Sequence, residues 1–186
     1  MTMKLVPINV PSIYKGKDGK LAPLPARMAQ LTPDAAASLI AVQTEIEGRG
    51  GCFRLSDAYR STEMQTRAHQ DYKAGRKKAY SPPAGGSLHE AARAIDLDLA
   101  ALIHPPSVPR GYKVFSESQV REIFVRHGWT FISAIGNEHL VDVSESWHIE
   151  FRGRFQEVYD RELTRTKSSK TAYKAMAKAA IADLTQ

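Results

Sequence analysis

The segment "GGSLHEAARAIDLD", residues 85–98, places His89 and Asp96 seven positions apart. The histidine stands where a loop enters a strand, and the aspartate lies inside an alternating apolar run. A similar alternation returns in "SWHIEF", where Trp147, Ile149 and Phe151 share one face while His148 and Glu150 share the other. If these two strands are neighbours, His89, Asp96 and His148 meet over one face of a sheet. Two imidazoles and a carboxylate, with a fourth position left for water, make the ligand set of a catalytic zinc site. Spacing alone does not decide this, because a lone His–Asp pair is more often a simple hydrogen bond. Glu145, three residues before His148, adds the missing chemistry. Zinc lowers the pKa of a bound water to roughly 7, and a carboxylate beside it can take that proton and pass it to a leaving amine.

The elements that must carry these groups can be read from punctuation and periodicity. In "LTPDAAASLIAVQTEIEGRGG", Thr32, Pro33 and Asp34 open a helix and Gly48, Gly50 and Gly51 close it, with Ala36, Leu39, Ile40 and Ile46 expected inside. "CFRLSDAY" reads as a strand. "STEMQTRAHQDYKAG" reads as a helix capped by Ser61 or Thr62. In "ARAIDLDL", Ile95, Leu97 and Leu99 alternate with Ala94, Asp96 and Asp98. Ser116 and Gln119 form a capping box for a further helix, and "WTFISAI" is another strand. The loops "RKKAYSPPAGGS" and "HPPSVPRG" separate these elements. Strands alternating irregularly with helices predict an α+β fold with a small central, mostly antiparallel sheet and flanking helices. Three parts are expected: an irregular lead over 1–31 packed on the domain, a catalytic domain over 32–154, and a basic helical extension over 155–186. In that extension Tyr173, Met176, Ala177, Ala180 and Leu184 fall on one side, either docked on the domain or turned to an anionic surface.

Composition sets outer bounds. The 186 residues suffice for one domain with a sizeable core. No apolar run approaches the roughly 18–20 residues that span a bilayer. The start carries no recognisable secretory signal, so synthesis in the cytoplasm is expected, with release by another route. Cys52 is the only cysteine, which excludes an intrachain disulfide and a cysteine-rich zinc cluster, and it reads as a space-filler in a strand. The net charge of +6 favours a polyanionic neighbour such as a cell-wall polymer. His69, His104, His127 and His139 lack such companions and read as structural or solvent-facing.

"SLHEAARAID" and "ESWH" resemble the paired signatures of the zinc D-alanyl-D-alanine metallopeptidases, the vancomycin-resistance-type D,D-carboxypeptidases and related phage endolysins. "AYRSTEMQ" is similar to an upstream segment of that family, and the three motifs stand in family order across residues 57–151. The resemblance implies a hedgehog-like fold. It implies zinc bound by His89, Asp96 and His148, and Glu145 as general base and later acid. It implies Arg60 on a substrate carboxylate or the developing oxyanion, and Ser87 hydrogen-bonding substrate near the metal. Tyr59, Gln65 and Trp147 would serve as scaffold or pocket wall, with Trp147 against the substrate. Asp98 would support a ligand from behind or face solvent. One departure stands out: Ala92 replaces a glycine that the family usually has, at a cost of about 1 kcal/mol if that position needs a positive φ.

The expected protein is a monomeric zinc peptidase of bacterial peptidoglycan, acting at the cell wall as a D-Ala-D-Ala-type carboxypeptidase or D,D-endopeptidase, in the manner of an endolysin. An L-alanyl-D-glutamate endopeptidase of the same fold is the alternative within the family. A zinc-binding module without activity, and a basic nucleic-acid-binding protein or nuclease, are rivals outside it. Retention of Glu145 and Arg60 speaks against the first, and the three ordered motifs against the second, so no nucleic-acid partner is expected.

Overall fold

The computed structural model describes residues 4–132 and 145–184. Its strands are β1 (Val6–Pro7), β2 (Pro11–Lys15), β3 (Leu21–Pro23), β4 (Gln30–Leu31), β5 (Leu55–Asp57), β6 (Ala94–Leu97), β7 (Thr130–Phe131) and β8 (His148–Glu150). Six of them form the main sheet in the order β3-β2-β5-β6-β8-β7, and β1 pairs with β4 apart from it. Every pairing in the main sheet is antiparallel except that of β2 with β5. The helices are α1 (Pro33–Gly48), α2 (Thr62–Lys73), α3 (Ala100–Ile103), α4 (Glu117–Arg126), α5 (Gln156–Thr166) and α6 (Ser169–Leu184). This is the expected α+β arrangement of a mostly antiparallel sheet with flanking helices.

The caps behave as their residue types require. The Ser61 hydroxyl accepts from the Met64 amide at the start of α2, and Ser116 and Gln119 complete both bonds of a capping box on α4. On α1 the buried residues are Ala35, Ala36, Leu39, Val42 and Ile46. Ile40 was expected among them but is 58% exposed, because at about 100° per residue it falls off the buried stripe that Ala35, Leu39, Val42 and Ile46 make along the helix. Of the strand expected in "WTFISAI", Thr130–Phe131 is seen as β7, and the rest beyond Ile132 lies outside the described residues, as does His139.

The N-terminal lead differs from expectation. Residues 6–31 supply four short strands, and β2 and β3 extend the main sheet. Pro7, Pro11 and Pro23 occupy strand ends, where a missing N–H costs no ladder bond. Strands of two to five residues are too short for alternation to register in the sequence.

The sheet divides the interior in two. Ile95 and Leu97 of β6 enter the larger core with Leu39, Ile46, Phe124 and Trp129. Ala94 turns the other way, into a second core with Leu88, Ala91, Tyr159 and Met176. α6 therefore docks on the domain through Ala172, Met176, Ala177 and Ala180, all buried. Arg93 ties the layers together. Its buried guanidinium pairs with Asp34 at 2.7 Å and lies 5.0 Å from the Phe155 ring centroid.

Candidate metal centre

Register brings the ligands together. Asp96 faces Asp57 of β5 on one side and His148 of β8 on the other. His89 approaches from the loop before β6. That loop is shaped by Glu90, whose carboxylate accepts from the amides of Gly85 at 2.9 Å and Ser87 at 3.4 Å. The turn closes at Ala92, whose φ is 53°, so the positive φ that a glycine would favour is present.

His89 Nε2, Asp96 Oδ1 and His148 Nδ1 form a nearly equilateral triangle. His89 stands 3.2 Å from Asp96, His148 stands 2.9 Å from Asp96, and the two ring nitrogens are 3.2 Å apart. Donors at about 2.0–2.1 Å from a tetrahedral ion lie about 3.3 Å from one another, so this triangle has the dimensions of one face of such a shell.

The far sides of both rings explain the orientation. His89 Nδ1–H donates to the Ala58 carbonyl, which leaves Nε2 as a lone pair. His148 Nε2–H donates to Glu150 Oε1 at 3.2 Å, which leaves Nδ1 free toward the centre. Two lone pairs and a carboxylate oxygen aimed at one point repel unless a cation lies among them. Without a metal that cation is a proton. Burial alone would lower the His148 pKa, but its hydrogen bonds to Asp96 and Glu150 push it up to about 10. Burial likewise opposes ionisation of Asp96, yet the charge of His89 and the hydrogen bond from His148 hold it well below the usual carboxylate range. Two nitrogens and one carboxylate oxygen, rigidly oriented, suit zinc.

Arg60 is buried beside this group and is partly engaged. Its Nε donates to Asp57 at 2.5 Å, Nη1 to Gln65 at 3.3 Å and Nη2 to Asp96 Oδ2 at 3.3 Å. Gln65, wholly buried, also donates to Ser81 Oγ and to the Pro82 carbonyl, and so fastens the 81–82 loop to α2. The Ser87 hydroxyl accepts from the His89 amide at 3.2 Å. Arg60, Ser87, Glu145 and Trp147 line one cavity of about 210 Å³ with the three ligand residues. Trp147 is 36% exposed at its wall. Asp98 lies elsewhere, in an ion pair with Arg54 at 2.8 Å. Tyr59 meets Met28 through its backbone amide. His69 bonds the Ser81 carbonyl and His127 bonds Glu45. Cys52 is buried, and burial pushes its thiol pKa up.

Four residues of the neighbourhood were given no part in the site by the sequence. Glu150 is wholly buried behind His148 and accepts from Arg152 Nε at 2.8 Å. Arg152 in turn lies over the Tyr159 ring, 4.4 Å from its centroid. Tyr173 of α6 hydrogen-bonds Glu150 and the backbone of Leu88, and burial together with the charge of Glu150 pushes its pKa well above the usual value. Lys77 lines the cavity, half-buried, and burial and the nearby charge of Arg60 push its pKa down. The alternation of "SWHIEF" already placed Glu150 on the His148 face, but no local signal marks Tyr173 or Lys77.

No family model and no curated protein matches this chain. Among solved structures, LdcB LD-carboxypeptidase, in a structure addressing peptidoglycan recognition, matches over 91% of this chain and 76% of its own, at 15% identity and a TM-score of 0.55. VanYB in complex with D-alanine-D-alanine matches over 89% of this chain and 91% of its own, at 14% identity and a TM-score of 0.50. Likenesses at this identity concern the fold. The chain has the fold of these peptidases and, in the order of its motifs, resembles the zinc D-alanyl-D-alanine metallopeptidases.

Proposed function

We propose that the protein is a zinc-dependent peptidase of bacterial peptidoglycan stem peptides, acting at the cell wall on D-Ala-D-Ala-type bonds as a carboxypeptidase or D,D-endopeptidase. The carrying observation is the triangle of His89, Asp96 and His148 in one cavity with Glu145 and Arg60. Zinc held by those three residues would polarise the scissile carbonyl and acidify water. Glu145, outside the ligand triangle, takes the proton from the attacking water and delivers it to the departing amine. Arg60 keeps N–H groups beyond its three bonds to Asp57, Gln65 and Asp96, and these meet negative charge on the substrate. Lys77 adds a second positive charge to the same cavity. Ser87 lies within reach of a substrate amide, and Trp147 walls the cleft. Action as a monomer is part of this proposal. A phage-type endolysin is the biological setting that this reading favours.

A second reading concerns only the bond. One neighbour is an LD-carboxypeptidase and another was solved with D-alanine-D-alanine, so this fold is found with both stereochemistries in its neighbours' names. Digestion of purified peptidoglycan followed by mass spectrometry of the products separates them. Wild-type protein is expected to trim pentapeptide stems to tetrapeptides or open D,D cross-links, whereas tripeptide products would assign L,D cleavage, and Glu145→Ala and chelated protein should lose about 10²-fold or more of the rate. Free L-Ala ends would assign the endopeptidase alternative. Zinc-loaded wild type inert on every muropeptide would assign a binding module, and full activity in Glu145→Ala would refute the mechanism.

A further inference from the structure

Beside the metal-centred cavity lies a second one of about 490 Å³, bounded by the end of α2, the 80–86 loop and the first turns of α6. Tyr80, Pro82 and Tyr173 line both cavities, so the two adjoin. The wall is fixed in place. Tyr72 and Tyr80 pack edge to face with ring centroids 5.3 Å apart, and Gln65 and His69 bond the Ser81–Pro82 backbone at 2.6 and 2.7 Å. The opposite side belongs to α6, which the buried Ala172, Met176 and Ala177 hold against the second core.

The chemistry of this lining is one-sided. Lys170 and Lys174 stand one helical turn apart on α6, and both reach the cavity. Among the described residues no acidic one lines it, and neither lysine has an ion pair. A solvated pair of lysines is commonplace on a helix, but these two border a concave, tyrosine- and proline-walled space that adjoins the metal-centred cavity. A peptide anchored at the metal centre and running past Tyr80 would bring its more distant residues here. Stem peptides carry free carboxylates away from the bond being cut, and these match the charge that the two ammonium groups supply.

Resting on the peptidase reading above, we propose that this cavity is a remote substrate subsite. It receives a carboxylate-bearing part of the stem peptide, with Lys170 and Lys174 as counter-charges and Tyr72, Tyr80 and Pro82 as the apolar wall. The test uses the whole chain loaded with zinc and two soluble stem peptides that differ only in a free or amidated carboxylate away from the scissile bond. Wild type is expected to show a KM roughly tenfold lower for the carboxylate peptide, the upper scale of two exposed ion pairs. The double variant Lys170→Ala/Lys174→Ala should lose that preference, and Lys170→Arg/Lys174→Arg should retain it. No preference in wild type, or an undiminished one in the double alanine variant, overturns the subsite. Glu145-dependent hydrolysis of both peptides without preference would sink the subsite alone, whereas failure to cut either peptide would sink the peptidase reading with it.

Discussion

His89 and His148 aim at one point, yet different partners hold them. A main-chain carbonyl, that of Ala58, fixes His89, while the buried carboxylate of Glu150 fixes His148 with support from Arg152 and Tyr173. A carboxylate behind the ring raises its basicity toward any cation. In the metal-free protein that cation is a proton: against the cost of burial, the hydrogen bonds to Asp96 and Glu150 push the His148 pKa up to about 10. The sign follows directly. Because the pKa is raised, His148 is charged at neutral pH, and a metal must displace its proton to bind. Zinc affinity should therefore climb with pH, by up to about tenfold per unit between about pH 7 and pH 9. Competition against a chromogenic chelator would measure this, and an affinity flat over that interval would show that His148 holds no proton before loading. Ala92 carries the same lesson in backbone form. Its departure from glycine was visible in the sequence, and the φ of 53° shows that the strain anticipated there is present while the ligands stay in place.

Among the elements, β6 and β8 matter most, since the register Asp96↔His148 converts two remote motifs into one site. Each motif was legible because its chemistry is local: a histidine and an aspartate on one strand entry, a glutamate and a histidine on another. Their adjacency was an expectation that only the pairing could satisfy. What escaped the sequence is long-range or short-lived. Strands β1 to β4 are too brief to show a period, and Ile40 falls off the stripe that Leu39, Val42 and Ile46 bury. Nothing near Tyr173 foretells that an Ala/Lys helix reaches back to Glu150. That helix also closes the second core beneath the His89 loop, where Met176 is wholly buried with Leu88 and Ala91. Met176→Ala should therefore cost about 2–5 kcal/mol of stability, as other buried Met-to-Ala truncations do. Urea unfolding of the metal-free protein measures it. A cost under about 1 kcal/mol would make α6 a loose appendage and not a wall of the domain.

At the scale of the molecule, the net charge of +6 meets a substrate that is an anionic, insoluble polymer under the proposed function. Two contributions of that charge can be separated by distance. Lys77 and Arg60 sit inside the cavity, half-buried or buried, where salt screens weakly. Most of the remaining lysines and arginines are exposed, including Lys178 on the outer side of α6, and their attraction for a wall acts over the Debye length. Raising salt from about 20 to about 200 mM shortens that length roughly threefold. Hydrolysis of intact peptidoglycan should then fall several-fold, while kcat on a short stem peptide changes little, because the charges nearest the reaction centre, Arg60 and Lys77, are buried or half-buried. Rates on both substrates across a salt series check this. Equal decline on both would place the salt-sensitive charge inside the active site, and no decline on the polymer would leave the basic surface without a part in wall binding.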